Sequence, residues 1–259
     1  MPRHCYVLRV FTRDGSGGNH LGVVTDILGL DDAKMQRIAT DLGFSETIFL
    51  SWFEGTVPKA RIFTPGSEIP YAGHPLVGAA WILINLGPVD PGAIECAAGM
   101  VRIHQADGVT WIEGAGGQPV KSVSTDVGAG LAVVDVAEVL MPVPYLLVQV
   151  GTPHEVETMI PSIAAGLGQV YVWAWEEEGS VVRARFFAPE LGVPEDPATG
   201  SAAVALAARL RDQGRESGAL VIHQGEEIGH PSRIELVWDP DSTSIGGLVA
   251  RDEVRFLKL

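Results

Sequence analysis

The stretch PEDPATGSAAVALAARL, from Pro194 to Leu210, decides the fold. Its acids and hydroxyls lie near its start, and the rest is almost entirely Ala, Val and Leu until Arg209. A helix on a protein surface normally keeps one charged face toward water. Small apolar residues on every side indicate an enclosed helix, because bulky side chains would not fit against strands packed closely around it. We therefore expect a helix over Ala198–Leu210 at the centre of a wrapped β-sheet.

A second helix of the same kind is predicted over Pro75–Leu86. Each helix follows a similar strand and turn, RIFTPGSEIP at 61–70 and RFFAPELGVP at 185–194, and these segments match at an offset of 124 residues. A strand, a polar turn and an apolar helix thus occur twice in the same order. The repeat is too long for a solenoid, and it predicts an internal duplication that produces two similar domains.

The predicted fold class is α+β, with two similar domains that are each a β-barrel wrapped around a central apolar α-helix. A Gly- and Ser-rich stretch at 114–124 indicates the boundary. We assign 1–118 to the N-terminal barrel domain and 119–259 to the C-terminal barrel domain, whose last strand is able to pair back with the N-terminal domain. The segment 31–43 is typical of an exposed amphipathic helix that Gly43 closes.

The composition limits the partners. The chain of 259 residues has a formal net charge of −14 and no basic cluster, which argues against nucleic acid and membrane surfaces as partners. Its longest apolar stretch, which begins at Leu76, is too short to span a bilayer. Cys5 and Cys96 have no zinc-type spacing, and the N-terminus lacks the pattern of a signal peptide. We expect a cytoplasmic protein that binds a small molecule.

Both predicted central helices begin with polar residues. His74 lies at or beside the cap of the first helix, and Asp196, Thr199 and Ser201 surround the start of the second. Such side chains are common helix caps that satisfy free backbone amides. If the helices are enclosed and the domains face each other, the helix starts would instead form a pocket for a carboxylate. The residue pattern leaves both interpretations open.

One acid is conspicuous in GFSETIFL at 43–50. Alternation along a strand places Glu46 on the same face as Phe44, Ile48 and Leu50, which is the core side. Burial is unfavourable for a carboxylate and raises its pKa, which suits a group that takes and returns a proton. An acid at the edge of the strand is equally consistent with the pattern.

Other chemistries have no support in the sequence. Ser201 lacks the G-x-S-x-G surroundings of a hydrolase nucleophile. The Gly-rich segment DGSGGN at 14–19 matches no nucleotide-binding fingerprint. The histidines include no pair with the spacing of metal ligands on a helix. We predict neither a cofactor nor a metal.

Five segments occur in order between residues 18 and 232: GNHLGVV, SETIFL, RIFTPGSEIPYAGHPLVGAA, GVPEDPATGSAA and QGEEIGHPS. They resemble the signature segments of the phenazine-biosynthesis PhzF-like isomerase family, and the two long motifs EIPYAGHP and PEDPATGSA are highly specific together. The resemblance covers nearly the whole chain. It implies the diaminopimelate epimerase fold, with the active site between two barrel domains, and it implies a homodimer that needs no cofactor.

The resemblance also implies the site. Glu46 would be the residue that moves the proton, with His74 and Asp196 as further catalytic residues. The related epimerases use a thiol at each helix start, whereas this chain has Ala72 and Thr199, which excludes a two-thiol epimerisation. The substrate-binding residues would be Asn19, Gly73, His74, Asp196, Thr199, Gly200 and Ser201.

The chain departs from the family pattern at His20, where Pro is usual, at Leu76, where Thr is common, and at His230, where Arg is usual. These departures leave the substrate open. The leading prediction is a cofactor-independent isomerase that moves a proton within a small carboxylic acid resembling dihydro-hydroxyanthranilate or a related cyclic amino acid. The alternatives are an epimerase or racemase with Asp196 as a second base, and a non-catalytic protein that binds a small metabolite.

Overall fold

The structure is a computed structural model that describes residues 3–53, 56–87, 90–115, 118–123, 132–142 and 144–257. Within the predicted boundary segment, residues 116, 117 and 124 lie outside the described residues. The chain divides into two compact units. The first unit comprises Met1–Gly15, Asn19–Gly114 and Gly246–Leu259, and the second comprises Ser16–Gly18 and Ala115–Ile245.

Strands dominate both units. The first unit contains, in chain order, β1 (Arg3–Thr12), β2 (Asn19–Val24), α1 (Asp32–Leu42), β3 (Glu46–Ser51), β4 (Lys59–Phe63), β5 (Glu68–Ile69), α2 (Gly73–Leu86), β6 (Ala93–Cys96), β7 (Gly99–Ala106) and β8 (Val109–Ala115). The chain continues through β9 (Val120–Ser122), β10 (Val133–Val139), β11 (Tyr145–Val150), α3 (Pro153–Glu157), β12 (Gln169–Glu177), β13 (Val181–Ala188), β14 (Val193–Asp196), α4 (Gly200–Asp212), β15 (Gly218–Gln224), β16 (Ser232–Trp238) and β17 (Ser242–Leu257). The residues of β17 from Gly246 onward belong to the first unit.

The strands of the first unit form a closed ring. β1 pairs with β2, which pairs with β3, and the ring continues through β4, β6, β7 and β8. β8 pairs with β17, and β17 pairs with β1. The β2–β3 and β4–β6 pairs are parallel. A ring of paired strands is a barrel, and its strands have no free edge.

The second unit has the same order of pairing. A continuous run of strands passes from β9 through β10, β11, β12, β13 and β15 to β16, and its β11–β12 and β13–β15 pairs are parallel. Helix α4 packs against β9, β10 and β11 near one end of the run and against β16 at the other end, so the sheet curves around the helix. The predicted α+β fold, with two similar barrels that each enclose a helix, is confirmed.

Both central helices are apolar because strands enclose them. In α2 every residue from Gly73 to Ala80 is buried, and in α4 every residue from Ala202 to Leu210 is buried. Both helices begin near the predicted positions, with α2 starting two residues earlier and α4 two residues later than the sequence indicated. Neither helix has a solvent face, so the small side chains follow from the space that the strands leave.

Helix α1 lies on the outside of the first barrel, as predicted. The Asp31 side chain accepts a hydrogen bond from the amide of Lys34, and Gly43 ends the helix in the left-handed conformation at φ 68°. Met35 and Ile38 of this helix pack with Phe49 of β3 in one apolar cluster. Strand β3 is therefore buried on both faces, because α1 covers the face that points away from the barrel interior.

An ion pair of the same geometry precedes each central helix. In the first unit, Arg61 donates from Nε and Nη2 to both carboxylate oxygens of Glu68, at 2.7 and 2.6 Å. In the second, Arg185 donates in the same way to Glu195, at 2.8 and 2.7 Å. Each Glu lies five residues before the first residue of its helix. The two helix entries thus match at an offset of 127 residues, because the second unit has three extra residues between its Arg and its Glu.

Gly78 marks the closest approach between α2 and the surrounding barrel. A Cβ atom at this position would lie 2.3 Å from Cδ2 of Leu21 and 3.1 Å from Cγ2 of Val10, and both of these side chains are fully buried. Helix propensity alone favours Ala over Gly by about 1 kcal/mol. We expect Gly78→Ala nevertheless to destabilise the protein by about 1–3 kcal/mol, because overpacking outweighs propensity.

Urea unfolding of Gly78→Ala, beside Gly114→Ala, measures this effect. No atom lies within 4 Å of a Cβ built at Gly114, so the control substitution should change stability by less than about 0.5 kcal/mol. A more stable Gly78→Ala variant would contradict the close enclosure of α2.

Candidate active site

An acid and a histidine meet at the start of α2. Glu46 is the first residue of β3, and its Oε2 atom lies 3.3 Å from Nδ1 of His74, the second residue of α2. The Glu46 side chain is 19% exposed and that of His74 is 4% exposed. Among the described residues, Oε2 of Glu46 accepts no hydrogen bond of ordinary geometry. The sequence left two positions open for Glu46, and the residue occupies the end of the strand while its carboxyl is largely withdrawn from water.

Withdrawal from water changes the acidity of this carboxyl. Burial raises the pKa of Glu46 from 4.5 to about 7, and the neighbouring Ser45 side chain opposes this rise without cancelling it. A carboxyl with a pKa near neutrality is present in both protonation states at physiological pH. It is able to accept a proton and to return it without a large energetic cost in either direction.

Asn19 and Ser45 extend the cluster. The parallel pairing of β2 and β3 sets Leu21 opposite Glu46, which brings the start of β2 beside the residue that precedes β3. The Ser45 hydroxyl donates to Oδ1 of Asn19 at 3.1 Å, and Asn19 is buried. Asn19 was predicted to bind substrate, and the structure joins it to Glu46 through Ser45. Ser45 was missed because the resemblance drew attention to the acid rather than to its neighbour in SETIFL.

The first unusual residue of the family pattern lies near this cluster. The ring of His20 stacks on Phe44 with a centroid distance of 5.7 Å, and its Nε2 lies 3.7 Å from a carboxylate oxygen of Asp252. The guanidinium of Arg255 also lies over the ring of Phe44, at 5.4 Å from its centroid. His20 therefore takes part in packing the segment that leads into β3.

The structure corrects the capping interpretation for one of the polar residues at the helix starts, Thr199. Ala72 is the N-cap of α2 and Thr199 is the N-cap of α4, and neither makes a side-chain capping hydrogen bond. The Thr199 hydroxyl instead donates to Oδ2 of Asp196 at 2.7 Å. The residues that the sequence allowed as caps are thus committed to each other, or to other side chains.

A buried amide side chain completes the second cluster. Nε2 of Gln224 donates to the backbone carbonyl of Asp196 at 2.7 Å and to the Thr199 hydroxyl at 3.0 Å. The Thr199 amide donates to Oε1 of Gln224 at 3.4 Å. Gln224 is fully buried at the end of β15. Gln224 begins the segment QGEEIGHPS, but the sequence does not predict this contact, because Gln224 lies 25 residues beyond Thr199.

Ser201, the second residue of α4, contacts a tyrosine. The Ser201 hydroxyl and the phenol oxygen of Tyr145 lie 2.6 Å apart, and either atom is able to donate. Tyr145 is buried at the first position of β11. This residue was also missed, since it is separated from Ser201 by 56 positions and no motif includes it.

The structure groups the predicted site residues within each unit. In the first unit, Glu46 and His74 are in contact, and Asn19 joins them through Ser45. In the second, Asp196 and Thr199 are hydrogen bonded. The prediction that the two helix starts face one substrate stays a prediction. Gly73 begins α2 and Gly200 begins α4, directly before His74 and Ser201.

Two features are absent from the described part of the chain. No group of three or more His, Cys, Asp and Glu residues there is arranged to hold a metal ion. No described helix is long and apolar enough to cross a membrane.

A near-neutral carboxyl beside a histidine defines a candidate acid–base site, and comparisons with known proteins identify the family. An uncharacterized isomerase from Pasteurella multocida is 32% identical over 269 residues, which cover 96% of this chain and 91% of that protein. A trans-2,3-dihydro-3-hydroxyanthranilate isomerase from Pseudomonas chlororaphis is 31% identical over 251 residues, which cover 88% of each protein. A crystal structure of a PhzF-family phenazine biosynthesis protein from Bacillus anthracis matches the full length of both chains with a TM-score of 0.84. At 22% identity, this likeness establishes the fold alone.

The family model described as phenazine biosynthesis-like protein matches residues 8–124 and 146–247. The chain belongs to this PhzC-PhzF family and is an isomerase of the family. The resemblance seen in the sequence motifs is confirmed.

The raised pKa of Glu46 predicts a dependence of stability on pH. In the folded protein the Glu46 carboxyl keeps its proton up to about pH 7, whereas in the unfolded chain it releases the proton near pH 4.5. Stability that comes from this group is complete below pH 4.5 and is lost as the pH rises through 7. Glu46→Gln imitates the protonated form, so the variant should gain ~3 kcal/mol over the wild-type protein between pH 4.5 and pH 8.

Urea unfolding of both proteins at pH 5 and pH 8 measures this gain. The exposed Glu216→Gln substitution is the matched control for the loss of one carboxylate from the surface. A difference for Glu46→Gln that is the same at both pH values would show that Glu46 ionises normally.

Proposed function

We propose that the protein is a cofactor-independent isomerase that moves a proton within a small carboxylic acid, with Glu46 as the general acid and base. The substrate class is trans-2,3-dihydro-3-hydroxyanthranilate or a related cyclic amino acid, because a relative that is 31% identical is named for that reaction. The observation that carries the proposal is the largely buried Glu46 carboxyl, whose pKa is about 7.

In the proposed reaction, ionised Glu46 removes a proton from an acidic C–H group of the substrate. The electron pair of that C–H bond forms a new double bond to the adjacent carbon. The electrons of the neighbouring double bond then move to the carbon at its far end. Protonated Glu46 then returns the proton to the carbon at the far end of the shifted system. No electrons leave the substrate, so the reaction balances as a proton transfer without a cofactor.

His74 supports this exchange from 3.3 Å. We propose that Nδ1 turns to donate a hydrogen bond to Oε2 when Glu46 is ionised, which would stabilise the form that accepts the substrate proton. The ionisable partner of Glu46 among the described residues is thus a histidine. We propose that Asn19 and the amide of Gly73 bind the substrate on this side.

We propose that Asp196 and Ser201 bind polar groups of the same substrate, with Gly200 and Thr199 beside them. The support is chemical. The positive end of the α4 dipole favours a carboxylate at Gly200 and Ser201. The Ser201–Tyr145 pair at 2.6 Å supplies hydroxyl donors at the same helix start.

We also propose the setting of the protein. Its partner is a small-molecule carboxylate rather than nucleic acid or a membrane, because the net charge is −14. We propose a homodimer on the basis of family membership alone. A cytoplasmic location is supported by two free, buried cysteines, Cys5 and Cys96.

Glu46→Gln tests the role of the acid. The variant keeps the shape of the side chain but cannot accept a proton, so turnover of trans-2,3-dihydro-3-hydroxyanthranilate should fall about 10²–10⁴-fold. Product formed by the wild-type protein in D₂O should carry deuterium at the newly protonated carbon if Glu46 exchanges its proton with solvent. If the same proton is transferred internally, substrate labelled with deuterium should instead give product that keeps the label.

The control is Glu216→Gln, which should retain wild-type activity. Circular dichroism should show that both variants are folded. Full turnover by folded Glu46→Gln would refute the mechanism.

A second candidate function is epimerisation of an amino or hydroxy acid, which needs a base on each face of the reacting carbon. Asp196 is a second buried carboxyl beside a helix start, so it could serve as the second base that epimerisation needs. If the protein is an epimerase, Asp196→Asn should abolish deuterium exchange for only one configuration of a cyclic amino acid such as proline. Loss of exchange for both configurations, or for neither, would argue against epimerisation.

A further inference from the structure

We propose that Thr199 and Gln224 are positioning residues that hold the Asp196 carboxyl in one orientation, with Oδ2 fixed as a hydrogen-bond acceptor. The proposal rests on the proposed function, in which Asp196 contacts the substrate. It gives Thr199 a role through Asp196 in place of direct substrate binding, and it assigns a role to Gln224, which belongs to none of the predicted site residues.

The orientation of the Gln224 amide is fixed by its partners. The backbone carbonyl of Asp196 only accepts hydrogen bonds, so the Gln224 atom at 2.7 Å from it must be the NH₂ group. The backbone amide of Thr199 only donates, so the Gln224 atom facing it must be the carbonyl oxygen. The two contacts agree, and together they exclude a flipped amide.

The direction of the Thr199 hydroxyl follows from this orientation. The NH₂ group of Gln224 also donates to Oγ1 of Thr199 at 3.0 Å, so Oγ1 acts as an acceptor there. The single hydroxyl proton is then directed to Oδ2 of Asp196, at 2.7 Å. The relay has one polarity, from Gln224 through Thr199 to Asp196, and it holds the Asp196 carboxyl through Oδ2.

The main chain brings Gln224 to this place. Gly225 follows it with φ 84°, and a Cβ atom at Gly225 would lie 2.4 Å from the carbonyl oxygen of His230 and 2.6 Å from that of Pro197. Only glycine allows the end of β15 to lie this close to the segment that leads into α4. The Gln224 side chain is consequently close enough to hydrogen bond with both Asp196 and Thr199.

The first unit shows that the fold does not need this relay. With the Arg–Glu pairs aligned, Ile69 matches Asp196 and Ala72 matches Thr199. The parallel pairing of β4 with β6 and of β13 with β15 places Cys96 at the position that matches Gln224. The same architecture is thus built with an isoleucine, an alanine and a thiol. A buried polar relay that the fold does not require indicates a role in function.

Thr199→Val and Thr199→Ser form the test, since valine keeps the shape and serine keeps the hydroxyl. Crystal structures should show one orientation of the Asp196 carboxyl in wild type and Thr199→Ser, and a rotated or divided one in Thr199→Val. With trans-2,3-dihydro-3-hydroxyanthranilate as the probe, Thr199→Val should lose about 10–100-fold in kcat with KM changed less than about threefold. Thr199→Ser should stay within about threefold of wild type in both constants.

An unchanged single orientation of Asp196 in Thr199→Val would overturn the proposal whatever the activity. A rotated carboxyl with unchanged kcat would also overturn it, because the orientation would then not serve catalysis. If wild-type protein does not turn over the probe, the proposed function fails for that substrate, and the crystal structures still decide whether the relay positions Asp196. Thermal unfolding of both variants accounts for any loss of folded protein.

Discussion

The enclosure of two central helices over most of their length is the constraint that shapes this protein. A helix enclosed by a barrel has no solvent face, so its residues must be small and apolar, and α2 and α4 meet that requirement over most of their length. Polar chemistry is then confined to the helix starts, where backbone amides and the dipole are available. The candidate catalytic groups lie at these starts, with Glu46 against the beginning of α2 and Asp196 just before α4.

The duplicated architecture carries two different chemistries. Each unit uses the same Arg–Glu pair to fix the entry to its helix, and each Arg also lies over a phenylalanine ring, at 5.2 Å in the first unit and 4.9 Å in the second. Beyond this shared frame the units diverge. The first places a desolvated acid beside a histidine, and the second builds a hydrogen-bonded relay around an acid. One frame thus carries the group that we propose to exchange protons and the group that we propose to be held in a fixed orientation.

Much of this could be predicted from the sequence, because the decisive signals are local. The absence of charges before Arg209, the acid in SETIFL and the glycine that ends α1 each follow from a few neighbouring residues. Contacts that join distant strands could not be predicted in this way. Gln224 and Tyr145 reach the site through strand pairing, and the pairing of β2 with β3 brings Ser45 beside Asn19. Side-chain capping was a reasonable expectation for Thr199, but its hydroxyl donates to Asp196 and accepts from Nε2 of Gln224, so it is directed to these side chains and not to a helix amide.

The central claim is that the fold makes Glu46 a near-neutral acid. The most direct measurement is a carboxyl ¹³C NMR titration of the wild-type protein, with the Glu46 signal assigned by its absence in Glu46→Gln. The account predicts a midpoint near pH 7, because burial disfavours the ionised form. A midpoint near pH 4.5, the ordinary value for a glutamate, would contradict it.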